Sequence, residues 1–321
     1  MRQPRSGLAC AVDRGALREL GLYMQQAEGH DPRNVQFLHT SFADAAQREL
    51  RLLASLGEWI DKGTPPLAYM PKCDLRNGHV LGAEALLRLH DEDGTLVPPG
   101  QVIALAARHK LLAAFEWSTV ERVGRDAQRL ARAGQPCALS VNTSSASLVT
   151  VDFGLRLREL VARLGLPSEA IVLELTEYDP VPDIDAVREN TRVLNDSGIR
   201  LSLDDFGSGH SGLTVLARFP FSEVKVDHSM VALIGTPRMR SAIQLALESA
   251  QRYGATFVAE GVETQEQLLA LQQLGISEGQ GHLFSQALPL DALMTYAKAT
   301  RVGATATSNA PALAGLQGRP P

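Results

Sequence analysis

From Leu67 onward the chain alternates short apolar runs with amphipathic helical patterns, and this alternation constrains the fold more than any other feature. The predicted strands are 67–71, 79–87, 137–142, 171–176, 200–205, 223–227, 256–260 and 280–284. About eight strands separated by helices over roughly 230 residues are typical, in size and rhythm, of a (β/α)8 barrel. A doubly wound open sheet shows the same alternation, so the periodicity alone leaves that alternative open.

Capping residues mark helix ends within this alternation. Gly198 follows a helix predicted over 183–195 and is typical of a left-handed C-terminal cap. Thr264 and Gln267 have the spacing of a capping box, which predicts a helix from there to Leu274. These signals place helices between the predicted strands, as either α/β architecture requires.

The chain is predicted to contain three segments. Residues 1–64 form a helical lead-in of unknown role, with helices over 13–27 and 41–62, and are too few for a second enzymatic domain. Residues 65–300 form the barrel. Residues 301–321 are mostly Ala, Gly, Thr and Pro without periodicity, which predicts a disordered tail.

Charge and cysteine usage exclude several classes of function. A net charge of −5 argues against a broad basic surface for duplex nucleic acid. Cys10, Cys73 and Cys137 have no CxxC spacing, so neither a disulfide framework nor a zinc site is indicated and a reducing compartment is favoured. The N-terminus has no apolar signal core, and no stretch is long enough to span a membrane. We therefore expect a cytoplasmic protein without membrane insertion.

Acidic and amide side chains, with one lysine, lie at the ends of successive predicted strands. Parallel strands bring their carboxyl ends to one edge of the sheet, where reactive side chains gather. In chain order these residues are Glu84, Asn142, Glu174, Glu177, Asp204, Asp205, Lys225, Asp227, Glu260, Glu263 and Gln280. So many acids at one edge repel one another unless cations neutralise them. Oxygen ligands without His or Cys favour Mg²⁺ or Mn²⁺ over zinc.

This set of side chains predicts a divalent-metal site that breaks a phosphodiester bond. The pair Asp204–Asp205 is suited to place one carboxylate between two ions about 3.5–4 Å apart. Lys225 is suited to stabilise charge on a phosphoryl oxygen. Glu260 is suited to take the proton of the attacking water.

Each acid taken alone also has an ordinary structural explanation. A single Asp or Glu after a strand is most often a helix cap or a solvated loop charge, and Asp205, Glu177 and Glu263 fit that description. Glu84 and Glu174 are harder to explain in this way, because each lies within a strongly apolar strand.

Seven short motifs occur in the order found in one known family. They are Glu84-Ala85-Leu86-Leu87-Arg88, Ser140-Val141-Asn142, Glu174-Leu175-Thr176-Glu177, Asp204-Asp205-Phe206-Gly207-Ser208-Gly209, Lys225-Val226-Asp227, Ala259-Glu260-Gly261-Val262-Glu263-Thr264 and Gln280-Gly281. On these motifs, residues 66–298 resemble the EAL domain, the cyclic di-GMP phosphodiesterase family. Any one motif is unspecific, whereas seven in sequence are highly specific.

The resemblance implies a fold, an activity and an assembly. The fold is a TIM-like (β/α)8 barrel whose first strand runs antiparallel, here preceded by the short helical segment. The activity is hydrolysis of cyclic di-GMP to linear pGpG with Mg²⁺ or Mn²⁺, two ions being expected. The family also suggests a homodimer.

The resemblance assigns a role to each matching residue. The implied metal ligands are Glu84, Asn142, Glu174, Asp204 and Asp205. The implied catalytic residues are Glu84, Lys225, which orients water and phosphate, and Glu260, the general base. The implied substrate-binding positions are Arg88, Met70, Asp227 and Gln280, the last also beside the second metal and its water. Glu177 and Glu263 are implied to hold the loop after Asp205.

Four positions depart from the family pattern. Met70 stands where a Gln usually contacts a guanine, and His210 stands in the loop where a Tyr is usual. Leu89 and His282 replace common aromatic residues. None of these is an implied metal ligand. The sequence therefore leaves a second function open, a catalytically silent cyclic di-GMP receptor or protein-interaction module, and a third, metal-assisted hydrolysis of another phosphoester.

Overall fold

The computed structural model describes residues 32–91, 93–176, 184–209 and 212–303, and of 32–46 and 302–303 the backbone alone. The chain divides into two compact units, Met1–Ala54 and Ser55–Pro321. This division falls within the first described helix, α1 (Pro32–Lys62), whereas the predicted boundary lies just after that helix ends. The helix predicted over 13–27 lies outside the described residues.

Strands and helices alternate through the second unit. The strands are β1 (Leu67–Asp74), β2 (Val80–Leu87), β3 (Leu89–His90), β4 (Leu96–Val97), β5 (Ala138–Asn142), β6 (Ile171–Thr176), β7 (Arg200–Phe206), β8 (Glu223–Val226), β9 (Thr256–Ala259) and β10 (Glu278–Gln280). The helices are α2 (Pro99–Arg108), α3 (Leu112–Arg132), α4 (Ser145–Leu148), α5 (Phe153–Arg163), α6 (Ile184–Asp196), α7 (Gly212–Arg218), α8 (His228–Ala232), α9 (Pro237–Arg252), α10 (Gln265–Gln273) and α11 (Leu290–Gly303).

Eight of these strands close into a barrel in the order β1-β10-β9-β8-β7-β6-β5-β2. The predicted TIM-like barrel is therefore confirmed, and its closure excludes the open sheet. Strands β3 and β4 form a separate two-stranded hairpin.

Strand β1 is antiparallel to both of its neighbours, β2 and β10, as the resemblance implies. The connection from Asp74 to Val80 is a tight turn, in which the backbone N–H of Asp74 donates to the carbonyl of His79 at 2.9 Å. A turn this short joins antiparallel strands only, because a parallel pair needs a crossover of a dozen or more residues. The other seven barrel strands pair in parallel with one another, in six pairs.

The predicted caps are present where the structure describes them. Gly198 has a φ of 77°, as its role after α6 requires. Thr264 and Gln267 form the complete capping box at the start of α10. No helix within the described residues is long and apolar enough to cross a membrane.

Two predicted boundaries are wrong. The last barrel strand, β10, ends at Gln280 instead of beginning there. The chain turns at Gly281, where φ is 154° and a Cβ atom would lie 2.3 Å from the backbone of Val262, so only glycine allows this close approach. Helix α11 extends to Gly303, three residues into the predicted tail. The rest of that tail lies outside the described residues.

The inside of the barrel is unusually polar. Side chains alternate between the two faces of a strand, so every second residue points inward. The buried polar side chains contributed by the strands are Lys72, Asp74, Glu84, Ser140, Glu174, Ser202, Asp204, Glu223, Lys225 and Gln280. The apolar core lies outside this ring, between the strands and the helices, where Leu139, Leu173 and Leu201 are buried.

Candidate metal centre

The predicted strand-end residues converge at the carboxyl end of the barrel. Glu84 lies in β2, Glu174 in β6, Asp204 in β7 and Lys225 in β8. Asn142 ends β5, Gln280 ends β10, and Glu260 follows β9 directly. Parallel strands with a common register bring these positions to one rim, as expected from the sequence.

The ammonium group of Lys225 lies at the centre of this cluster. Its Nζ is 3.0 Å from Glu84, 3.0 Å from Glu174, 2.9 Å from Asp204 and 2.8 Å from Glu260. The Lys225 side chain is completely buried. Burial lowers the pKa of Lys225, but the four carboxylates outweigh it and raise that pKa well above its usual value.

Two amide side chains fix the carboxylate of Glu84. Nδ2 of Asn142 donates to Glu84 Oε1 at 3.1 Å, and Nε2 of Gln280 donates to Glu84 Oε2 at 2.6 Å. The same Gln280 nitrogen also donates to Glu260 at 2.9 Å. Burial raises the pKa of Glu84, but Lys225 and these hydrogen bonds outweigh it and hold that pKa at about 2.

The pKa values of Glu174 and Glu260 shift in the opposite direction. Burial, and next the charge of Glu84, raise the pKa of Glu174 well above its usual range. Burial raises the pKa of Glu260 to about 8, against the opposing attraction of Lys225. One ammonium thus cannot keep all its carboxylate neighbours ionised, and a further cation would relieve them.

A bulge in β7 turns two consecutive carboxylates towards one place. Leu203 and Phe206 pair with Val224 and Val226, so two residues of β7 lie opposite one of β8. Asp205 has a φ of 55°. In a regular strand Asp204 and Asp205 would point to opposite faces, and the bulge removes this alternation. Burial, and next the charge of Asp204, raise the pKa of Asp205 to about 6.

The donor set fits a divalent cation. One oxygen each from Glu84, Glu174 and Asp204 lie within 4.8 Å of one another, and so do one each from Asp204, Asp205 and Glu260. Asp204 belongs to both groups, as a ligand shared by two ions would. Among the described residues no donor bonds to Oε1 of Glu174 or to Oε1 of Gln280, although both atoms are buried. Hard oxygen donors of this kind suit Mg²⁺ or Mn²⁺.

Below this cluster lies an ion pair that the sequence analysis missed. Lys72 Nζ is 2.7 and 2.9 Å from the two oxygens of Glu223 and donates to Ser140 Oγ at 3.2 Å. It is also 4.0 Å from Glu174. Burial raises the pKa of Glu223, but Lys72 outweighs it and the pKa is lowered. The alternation of side chains along the strands could have revealed this pair. Lys72 is two residues from Met70, and Glu223 is two residues from Lys225, so each points inward like its neighbour.

Comparison with known proteins identifies the family of the chain. The sequence profile described as the EAL domain matches residues 50–287. The chain belongs to the EAL domain family. The resemblance stated from the motifs is therefore confirmed.

Curated relatives and solved structures agree with this assignment. The chain is 31% identical to the cyclic di-GMP phosphodiesterase RocR of Pseudomonas aeruginosa over 249 residues, which are 77% of this chain and 64% of RocR. It is 31% identical to the cyclic di-GMP phosphodiesterase NbdA of the same organism, over 94% of this chain and 38% of NbdA. The structure of the PaMucR phosphodiesterase in complex with c-di-GMP superposes with a TM-score of 0.68 at 30% identity, covering 76% of this chain and 99% of PaMucR. The chain thus spans less than two thirds of these curated relatives.

The remaining predicted residues of the EAL domain lie in different surroundings. Met70 is buried in β1 and pairs directly with Glu84, so both side chains point to the same side of the barrel. Arg88 lies just after β2, where its guanidinium donates to the carbonyl of Leu87 at 3.0 Å. Glu263 is exposed, and Glu177 lies outside the described residues.

Asp227 has a structural role in this structure, whereas its contact with substrate stays a prediction. Its carboxylate caps α8 by accepting from the backbone N–H of Ser229 at 3.0 Å and from the Ser229 hydroxyl. The imidazole Nδ1 of His228 lies 2.9 Å from its other oxygen. Burial raises the pKa of Asp227, but these hydrogen bonds outweigh it and the pKa is lowered. The carboxylate is therefore held in place by its own helix.

Proposed function

We propose that this EAL domain hydrolyses cyclic di-GMP to linear pGpG in a reaction that depends on Mg²⁺ or Mn²⁺, two ions being expected. The observation that carries the proposal is the convergence of five oxygen-bearing side chains on one rim. These are the predicted metal ligands Glu84, Asn142, Glu174, Asp204 and Asp205. The names of RocR, NbdA and PaMucR, all phosphodiesterases, support the choice of substrate.

The protein groups around the proposed ions have separate tasks. When bound, two divalent ions supply an activated water and positive charge at the phosphoryl oxygens. Asn142 and Gln280 orient the Glu84 carboxylate through their amide N–H groups. Lys225 provides a fixed positive charge at the floor of the site, where the low dielectric strengthens its attraction for a phosphoryl oxygen.

Glu260 is the proposed general base. Burial raises the pKa of Glu260 to about 8, and divalent ions bound beside it would lower that pKa towards the range in which a general base works at neutral pH. Its Oε1 is held by Gln280 at 2.9 Å and by Lys225 at 2.8 Å, so its position is fixed before substrate binds.

The setting of this reaction is also proposed. We infer a cytoplasmic location from the cysteine usage, which favours a reducing compartment. A homodimer follows from the family resemblance. Arg88, Met70, Asp227 and Gln280 are proposed to face the substrate, and Glu177 and Glu263 to hold the loop after Asp205.

Met70 is the observation that bears on a second candidate function, a silent cyclic di-GMP receptor. Met70 places a thioether, a poor hydrogen-bond partner, on the inward face directly opposite Glu84. A ligand bound here loses one hydrogen bond to a base, which costs on the order of 1 kcal/mol. The complete set of acids in the metal centre nevertheless favours hydrolysis.

Incubation of the purified protein with cyclic di-GMP and Mn²⁺ distinguishes the two functions. Chromatography of the products is expected to show linear pGpG. Calorimetry in Ca²⁺, which does not support turnover, measures binding separately. Binding of cyclic di-GMP in Ca²⁺ without any product in Mn²⁺ would contradict the enzymatic function and support the receptor.

A further inference from the structure

The predicted metal ligand Asn142 is the last residue of β5, where strand pairing has ended on one side. On the β2 side, pairing of β5 ends with Val141 opposite Ala85, one residue before Asn142. On the β6 side Asn142 lies opposite Glu174, and the next N–H, of Thr143, donates to the Glu174 carbonyl at 2.9 Å. Because one side is released, the direction of the Asn142 side chain depends on the path of the turn that follows.

That turn is fastened by a carboxylate from a different element. Glu116 lies in the first half of α3, and its Oε2 accepts hydrogen bonds from the Ser144 N–H at 3.2 Å, the Ser144 hydroxyl at 2.9 Å and the Ser147 hydroxyl. Hydrogen bonds to an ionised acceptor are about twice as strong as neutral ones. One carboxylate oxygen of Glu116 on α3 thus accepts three hydrogen bonds from the turn that begins two residues after Asn142.

The other end of the same segment has its own anchor. Nδ2 of Asn190, on α6, donates to the carbonyls of Leu148 at 2.7 Å and Thr150 at 3.1 Å, and its Oδ1 accepts from the N–H of Gly154 at 2.9 Å. Asn190 therefore attaches α4 to the body of the barrel without involving the end that carries Asn142. The contacts of Glu116 are made at that end.

We propose that Glu116 is a positioning residue of the metal centre, which aims the Asn142 amide by fixing the turn after β5. Asn142 donates to Glu84 through Nδ2, and this leaves its carbonyl oxygen for a cation. A shift of the turn would move that carbonyl oxygen and at the same time break the hydrogen bond from Asn142 to Glu84. The inference rests on the proposed metal site. It gives a role in that site to Glu116, a residue of α3 that lies outside the seven motifs.

The test is a double-mutant cycle read by metal binding alone. Mn²⁺ is titrated calorimetrically, without nucleotide, into the wild-type chain, Glu116→Ala, Asn142→Ala and the double variant. We expect Glu116→Ala to weaken Mn²⁺ binding about 10–100-fold, the usual effect of losing a group that orients a metal ligand. In the Asn142→Ala background the same substitution is expected to cause no further loss, because the two residues act as a unit.

Two further variants separate positioning from general stability. Glu116→Gln keeps an acceptor oxygen and is expected to bind Mn²⁺ more tightly than Glu116→Ala. Asn190→Ala loosens the far end of the segment, so it is expected to lower the thermal midpoint and leave Mn²⁺ affinity unchanged. If Glu116→Ala fails to fold, Ser147→Ala replaces it in the cycle, because this variant removes the hydrogen bond that the Ser147 hydroxyl donates to Glu116.

Equal losses of affinity in both backgrounds, or no loss in Glu116→Ala, would overturn the inference. Absence of Mn²⁺ binding by the wild-type chain would overturn the metal centre and the inference with it. A wild-type chain that binds Mn²⁺ but yields no pGpG would contradict the proposed hydrolysis alone, and the cycle would still decide the role of Glu116.

Discussion

The ammonium nitrogen of Lys225 lies 3.0 Å from a carboxylate oxygen of Glu174, and both side chains have no exposed surface. Taking the Lys225 ammonium out of water costs several kcal/mol, and its contacts with the surrounding carboxyls offset this cost. Because the other acids of the cluster also contact this ammonium, it supplies the positive charge that stabilises the buried carboxyls at the centre of the barrel.

Replacing Lys225 by Met is therefore expected to destabilise the chain by about 3–5 kcal/mol, because it leaves buried carboxylates without a counter-charge. Added Mn²⁺ is expected to raise the thermal midpoint of this variant more than that of the wild-type chain, since the metal becomes the main source of positive charge. Thermal unfolding with and without Mn²⁺ measures both effects. An equal metal-induced rise in the two proteins would contradict the central role of Lys225.

The ion pair of Lys72 and Glu223 predicts a pH-dependent contribution to stability. The pKa of Glu223 is lowered in the folded chain, so its contribution is present above the unfolded value and is lost as pH falls through the folded one. Glu223→Gln removes this titration. The difference in free energy of unfolding between wild type and variant is expected to shrink from pH 7 towards acid pH. Urea unfolding across that range tests it, and a difference that stays constant or grows would contradict the prediction.

Much of the fold and of the site was predictable from the sequence. Glu84 and Glu174 were recognisable because an acid within an apolar strand is costly unless it serves a purpose. The pair of Lys72 and Glu223 was missed because the two residues are 151 positions apart and meet only when the barrel closes. The left-handed Asp205 was not predictable either, since its bulge follows from the register of β7 against β8.

The placement of Met70 predicts how ligand affinity can be increased. Met70→Gln adds an amide at a buried position opposite Glu84, where the family resemblance implies a guanine contact. One additional hydrogen bond of about 1 kcal/mol corresponds to roughly fivefold tighter binding of cyclic di-GMP. Calorimetry in Ca²⁺ measures the change, with Met239→Gln on helix α9, outside the barrel strands, as a matched control. Unchanged affinity in Met70→Gln would show that this position does not face the base.

The most direct test of the account compares product formation by the wild-type chain and by Glu84→Ala, with cyclic di-GMP and Mn²⁺. Glu84 accepts hydrogen bonds from both amides and contacts Lys225, so its loss removes a proposed metal ligand and the contacts that order its neighbours. We predict that the wild-type chain forms pGpG and that Glu84→Ala, with an unchanged circular dichroism spectrum, is at least about 100-fold slower, beyond the range found for groups that only orient a ligand. Equal rates in the two proteins would contradict the assignment of the metal centre.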